Sequence, residues 1–231
     1  MPDTTEHHCS FHHLIHIVND LETAMAAYDD LDLPTHATLS MPGFRNAAWA
    51  IEASRTPGPV SFAVHVPDAQ AMAASLRDAG YQVSVCDIRF DDQIDGQDAG
   101  FTEVFVTDAP ALFPFFISYS PPREVIARMR SEHRVEQGGD AEPPSTHGPD
   151  LVALLAHSNT PSDDARLLSD LLGGELRGTT VAPTGADVHF KQTPSPDTIP
   201  GLYGFTVRRA GLTESPAIVA GATVTSATGQ G

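Results

Sequence analysis

Lysine is almost absent from this 231-residue chain: the one lysine is Lys191, and arginine brings the basic total to only 13. Against 30 Asp and Glu, that leaves a formal net charge of -17. Such a surface repels phosphate backbones and anionic lipid, so neither nucleic acid nor a membrane surface is expected as a partner. Cysteine is nearly as scarce. Cys9 and Cys86 are the only two, too few for a disulfide scaffold, and nothing in the pattern suggests secretion. The polar, His-bearing stretch Met1–Cys9 has no apolar core of the signal-peptide kind. The longest apolar run, around Phe113–Ile117, is far too short to span a bilayer. A cytoplasmic location is the expectation. There is no phosphate-binding glycine loop, no G-x-S-x-G and no C-x-x-C, so nucleotide-dependent and serine-nucleophile chemistry find no support.

What is present is a globular chain with 41% hydrophobic residues, long enough for one large or two small domains. The Arg-over-Lys bias and the richness in Ala and Asp point to a high-GC bacterial genome. Three segments share one grammar of apolar strand, capping residue, amphipathic helix and Gly or Pro stop. The first strand is Phe11–Asn19, with Asp20 as N-cap, Leu21, Ala24, Met25 and Tyr28 on one helical face, and Pro34 after the end. The second is Val60–Val66, with Asp68 as cap, Met72, Leu76 and Ala79 as the stripe, and Gly80 as stop. The third is Leu151–His157. There Thr160 caps, Pro161 suits the first helical position, Asp163 completes a T-x-x-D signature, and Gly173 ends the helix after the Leu167, Leu168 and Leu171 stripe.

Short strand-like runs follow each helix. They are Ala37–Met41 and Asn46–Glu52 after the first, then Tyr81–Ile88, Thr102–Val106 and Pro114–Tyr119 after the second. After the third come Glu175–Val181, Asp187–Lys191 and Leu202–Val207. Repetition of the unit constrains the fold more than any single element does. The first unit reads one strand short. An incomplete module leaves an open sheet edge, which the third unit or a second copy in a homodimer is expected to cover. Residues 1–10 read as a flexible N-terminus and 11–122 as paired modules. Residues 123–149 read as a charged helix, roughly Arg123–His133, and a polar linker. Residues 150–212 read as a third, partial β-α-β module, and 213–231 as a disordered tail.

The run from His12, HHLIHIVNDLETAMAAY, resembles the opening strand and helix of glyoxalase-like members of the vicinal oxygen chelate superfamily. Gly43-Phe44-Arg45-Asn46 is similar to the G-T-R-N that follows in that family, Phe62–Gly80 to its second strand and helix, and Pro114-Phe115-Phe116-Ile117 to its P-F-F-I strand. The likeness covers roughly Phe11–Ser120, with weaker similarity onward to about Leu212. It implies an α+β fold of repeated β-α-β-β-β modules whose curled, mixed sheets form a cup. It also implies a small-molecule substrate or ligand. Active members hold one divalent metal ion, such as Fe, Mn, Ni, Co or Zn, that chelates two vicinal substrate oxygens. Their reactions are isomerisations, lyase steps, epoxide openings and ring-cleaving oxygenations, while other members only bind ligands.

The family's first ligand position falls on His13. In a strand, His13, Ile15 and Ile17 share one face and His12, Leu14, His16 and Val18 the other, which packs under the helix. With the units aligned on Asp20, Asp68 and Thr160, His13 corresponds to Ser61 and to Ala153, and the last ligand position falls on Ser118. Neutral serine is a poor ligand for these metals beside histidine and carboxylate. His65 lies on the face of Ser61 but four residues further along, roughly 13 Å at ~3.3 Å per residue. The best remaining metal set is His13, His65 and Glu103, with Glu52 as another source of the carboxylate. A metal would act as a Lewis acid; without it, the same cup would bind a ligand. For substrate contacts, Arg45 is suited to a carboxylate or phosphate, Asn46 to orientation, and Trp49 and Tyr119 to stacking. The bland readings are turn hydrogen bonding for Asn46 and core packing for the aromatics. Cys86 reads as a small buried hydrophobe, and His157-Ser158-Asn159 as hydrogen bonding at the start of a helix.

Overall fold

The computed structural model describes residues 9–33, 35, 37–41, 44–47, 50–52, 58–94, 96–108, 112–122, 125, 128, 150–208 and 216–227, without the side chains of 37–41, 44–47, 50–52, 91–94, 97 and 150. The expected helix and linker over 123–149 lie almost wholly outside these residues. The chain divides into a larger unit, Ser10–Ala63 with Pro110–Pro114 and Pro149–Gly231, and a smaller one, Met1–Cys9 with Val64–Ala109 and Phe115–Gly148.

In the larger unit, β1 (Ser10–Val18) leads into α1 (Leu21–Asp30), followed by β2 (Ala37–Met41), β3 (Phe44–Ala47) and β4 (Ala50–Glu52). Asp20 caps α1 as expected: its carboxylate accepts the Thr23 amide at 2.6 Å, satisfying one of the orphan donors of the first turn. Leu21, Ala24 and Tyr28 form the buried stripe. The first module is not one strand short. The expected single strand Asn46–Glu52 instead spans parts of two antiparallel strands, with Ala47 opposite Ala50 and Arg45 opposite Glu52. The sequence between these strands contains none of the Gly, Asn or Asp that mark a turn, so it reads as one continuous strand. The β4 strand closes back parallel to β1, with Ile51 opposite Ile17. The strand expected to be missing from the first module is therefore present as β4.

The same unit contains β9 (Asp150–Ser158), α3 (Pro161–Leu172), β10 (Glu175–Arg177), β11 (Thr180–Ala182) and β12 (Asp187–Gln192), then β13 (Gly201–Arg208), β14 (Ala217–Val219) and β15 (Ala222–Ala227). These strands form a seven-stranded sheet in the order β10-β11-β12-β9-β13-β15-β14. The module grammar repeats, with β12 parallel to β9 and β15 parallel to β13. The tail expected to be disordered from residue 213 thus holds two strands. Its Val- and Thr-bearing run pairs onto β13 and buries Val219, Ala222 and Val224. Gly173 stops α3 in the left-handed region, at φ 67°. Thr160 stands at the N-cap without making the expected side-chain bond. Ser158 replaces it: its hydroxyl accepts the Thr160 amide at 2.8 Å and donates to Asp164 at 2.5 Å.

No helix follows β13 among the described residues. Its buried face meets α1 instead: the Tyr28 and Phe205 rings lie 6.3 Å apart, and His16 Nε2 is 2.9 Å from the Ala220 carbonyl oxygen. Tyr28 also hydrogen-bonds His16 Nδ1. The histidine expected to pack under the helix does so, fully buried.

In the smaller unit, β5 (Gly58–His65), whose last residues belong here, leads into α2 (Ala69–Asp78), β6 (Val83–Ile94), β7 (Gln97–Val106) and β8 (Phe115–Ser120). The order is β5-β8-β7-β6. Asp68 caps α2, accepting the Ala71 amide at 2.9 Å, and Ala69, Met72, Ala73 and Leu76 are its buried residues. Among the described residues no helix is long and apolar enough to cross a membrane.

Candidate functional site

Strand alternation assigns the two faces of the β8-β7-β6 sheet. Phe116, Val104 and Thr102 are buried toward α2. Ser118 is on that face as well, its hydroxyl accepting the Ala69 amide at 3.3 Å. The position expected to correspond to the last family ligand therefore looks at a helix start, and its neighbours Ile117 and Tyr119 occupy the opposite face.

That opposite face is aromatic. His65 stacks on Tyr119 with ring centroids 6.4 Å apart and planes at 19°. Tyr119 meets Phe101 at 6.1 Å, and Phe101 meets Phe90 at 5.9 Å. Phe105 stacks on Phe115 at 5.3 Å. Between the two aromatic groups stands Glu103, two residues from Phe101 and two from Phe105, opposite Ile117 on β8 and Cys86 on β6. Surrounded by apolar neighbours, its carboxyl loses hydration and its pKa rises above the usual carboxylate value. Cys86 is exposed, contrary to the expectation of a buried thiol, because β6 is the end strand of the sheet. Cys9 is the buried cysteine, and burial pushes its thiol up to about 11.

Three of the expected site residues, His65, Glu103 and Tyr119, thus share one face of one unit. His65 and Glu103 do not adjoin: β8 lies between their strands, a separation of two strand spacings, ~9.6 Å. His13 belongs to β1 of the larger unit, where its Nδ1 lies 2.5 Å from that of His12. Arg45 and Asn46 are not in a turn entering a strand; they lie inside β3, paired with β2 on one side and β4 on the other, and Glu52 is in β4. Trp49 lies outside the described residues. Ser158 and Asn159 are taken up by bonds at the start of α3 and with Thr193, as expected of them. Among the described residues, no three His, Cys, Asp or Glu side chains are grouped so as to hold a metal ion. Phe101 and Phe90 went unnoticed in the sequence, although the two-residue spacing of Phe101, Glu103 and Phe105 against Phe115, Ile117 and Tyr119 is a readable signal.

The larger unit holds a separate cleft of about 630 Å³ at one end of the seven-stranded sheet, with Asp187, His189, Thr206 and Arg208 among its lining.

Comparison with known proteins follows the same lines. Residues 34–141 match the glyoxalase-like domain family. No curated protein matches the chain. Among solved structures, a hypothetical protein from Staphylococcus aureus is similar in fold, with a TM-score of 0.69 at 11% identity, over 95% of this chain and 98% of that one. The Mn(II)-bound glyoxalase from Novosphingobium aromaticivorans aligns with a TM-score of 0.50 at 12% identity, over 87% of this chain and 65% of that one. With the repeated strand-helix-strand modules closing parallel onto their first strands, this chain has an α+β fold of mixed sheets similar to that of the Mn(II)-bound glyoxalase, and its residues 34–141 resemble the glyoxalase-like domain family.

Proposed function

We propose that the chain is an enzyme that moves a proton on a small oxygenated compound bound against the aromatic face of β8, β7 and β6, with Glu103 as the proton-transfer group. One observation carries this reading: a half-buried carboxyl stands in the middle of an aromatic face, flanked by Phe101 and Phe105. The Tyr119 and Phe101 rings supply a surface for an unsaturated or aromatic part of the substrate. A carboxyl with a raised pKa is a better base than an ordinary exposed one and is suited to abstracting a proton from carbon beside a carbonyl, the first step of lyase and isomerase reactions. A divalent metal held by His13, His65 and Glu103 would stabilise the resulting oxyanion. The described donors are not grouped as such a site requires, so the proton step rests on Glu103 and the ring surface.

The second reading is a metal-free binding protein, favoured by the continuous run of rings from His65 to Phe90 and by Ser118 being engaged at α2. Elemental analysis of the untagged chain before and after chelation, followed by turnover screening on vicinal-oxygen compounds, separates the readings. Under the proton-transfer reading Glu103→Gln still binds the compound that is turned over, with kcat reduced on the order of 100-fold, as loss of a general base gives. Unchanged kcat in Glu103→Gln rules out that role. Binding without turnover supports the carrier, and one metal equivalent lost together with activity on chelation makes the histidines the groups to test next.

A further inference from the structure

We propose that the outer edge of β6 is an interface for a second copy of this chain, formed by antiparallel pairing of β6 with the partner's β6 about a two-fold axis through Ile88. Among the described residues β6 ends its sheet, with β7 on one side and no strand on the other. An end strand presents a row of backbone amides and carbonyls that another strand can take up. This edge is not the one in the first module, and the pairing is independent of the role of Glu103.

The start of β6 fixes which backbone groups point outward. The Thr107 amide donates to the Gln82 carbonyl at 2.9 Å, so Gln82, Ser84, Cys86 and Ile88 turn their backbone groups toward β7, and the residues between them, Asp87 and Arg89 included, turn theirs to the outer edge. A two-fold axis at Ile88 therefore makes each pairing of Asp87 with the partner's Arg89 a hydrogen-bonded one. It sets the two Ile88 residues across a non-hydrogen-bonded pair, with Cα atoms about 4.5 Å apart. Opposite charges directly across a ladder are favourable. Both side chains are half-exposed, and the Arg89 guanidinium is only loosely engaged with Asp87 of its own strand, at 3.6 Å. Asp87 is already held in position: its carboxylate accepts the Thr102 hydroxyl at 2.5 Å and the Gln70 amide at 3.5 Å.

The same charges exclude the neighbouring registers. An axis at Asp87 or at Arg89 brings like charges face to face, and one at Cys86 leaves Asp87 opposite the partner's Val85. The register shift between Arg89 and Gln93 bends the strand beyond that point, which confines the ladder to Cys86–Phe90. Within it the exposed Phe90 comes to lie beside the partner's Cys86. Cys86 is opposite Glu103 and Glu103 is opposite Ile117, so the partner's Phe90 extends that row of the aromatic face. An interface this short belongs with the weak, reversible ones.

Sedimentation equilibrium of the full chain from about 1 to 300 µM, the range of weak association, should show a reversible monomer–dimer equilibrium. Asp87→Arg and Arg89→Asp each set like charges opposite one another and should weaken the dimer at least tenfold; the two together should restore it. The melting temperature of each variant is measured alongside. Ile88→Cys in a Cys86→Ser background reads the register without touching the charges. Mild oxidation should join two such chains, because Cα atoms about 4.5 Å apart are within disulfide reach, while Val85→Cys in the same background stays unjoined. Cys9 is buried and does not compete. A chain that is monomeric throughout, a dimer unaffected by either charge reversal, a double variant that stays as weak as the single ones, or cross-linking of Val85→Cys rather than Ile88→Cys overturns this interface. If a charge variant does not fold, the two cysteine variants decide alone.

Discussion

Burial of His16 has a consequence for pH dependence. Desolvation lowers its pKa, against a smaller upward pull from the Ala220 carbonyl. The unfolded chain, with an ordinary histidine near 6.5, then binds a proton before the folded one does. Stability is constant above about pH 6.5 and falls as the pH drops through the interval between that value and the lowered folded pKa. Thermal melts between pH 7.5 and 5 should show this decline, and His16→Gln should flatten it while lowering the melting temperature at pH 7.5. Tyr28→Phe removes the hydroxyl paired with His16 Nδ1 and should cost about 1–3 kcal/mol in denaturant unfolding, the usual penalty for a buried polar atom left alone. A cost below about 0.5 kcal/mol would mean that water or another group takes the hydroxyl's place. Gly204 is a different kind of residue: an added Cβ there would meet the Thr223 carbonyl oxygen at 2.2 Å. Since that contact is with backbone, Gly204→Ala should destabilise by more than about 2 kcal/mol.

Among the elements, the helices were the most legible. Asp20 and Asp68 stand where a carboxylate can reach the third amide, and the apolar stripes follow at helical spacing. Both depend on contacts within a few residues. The strands were read with their ends displaced, because strand limits are set by partners distant in sequence: β6 runs to Ile94 and β7 begins at Gln97, past the expected ends, since the two pair with each other. The β3-β4 hairpin was missed for want of a turn residue. The candidate face was half legible. His65, Glu103 and Tyr119 were singled out, but whether Glu103 and Ser118 pointed inward or outward depended on a register that no local pattern fixes. In α3 the stripe expected at Leu167, Leu168 and Leu171 shifts to Ala165, Leu168 and Leu172 as the buried set. Leu168→Ala should therefore cost about 2–5 kcal/mol, and Leu167→Ala markedly less.

For the molecule as a whole, the segment from 213 onward is part of the fold. It supplies β14 and β15, buries Val219 and Val224, and carries the carbonyl that meets His16. Ending the chain at residue 212 should lower the melting temperature sharply and expose the β13 edge to association, visible as concentration-dependent sedimentation. Burial of each Val alone is worth roughly 1.5–3 kcal/mol. A truncated chain that melts like the full one would mean that these strands only decorate the sheet.

The cysteine pair supplies a reporter that the native protein already carries. Cys9 is shielded and its thiol stays protonated at neutral pH, whereas Cys86 is exposed and directly across from Glu103. A thiol-reactive fluorophore added in the folded state should attach at the one position alone, with no engineered residue. Its emission would then register occupancy of the aromatic face directly, in a single cuvette.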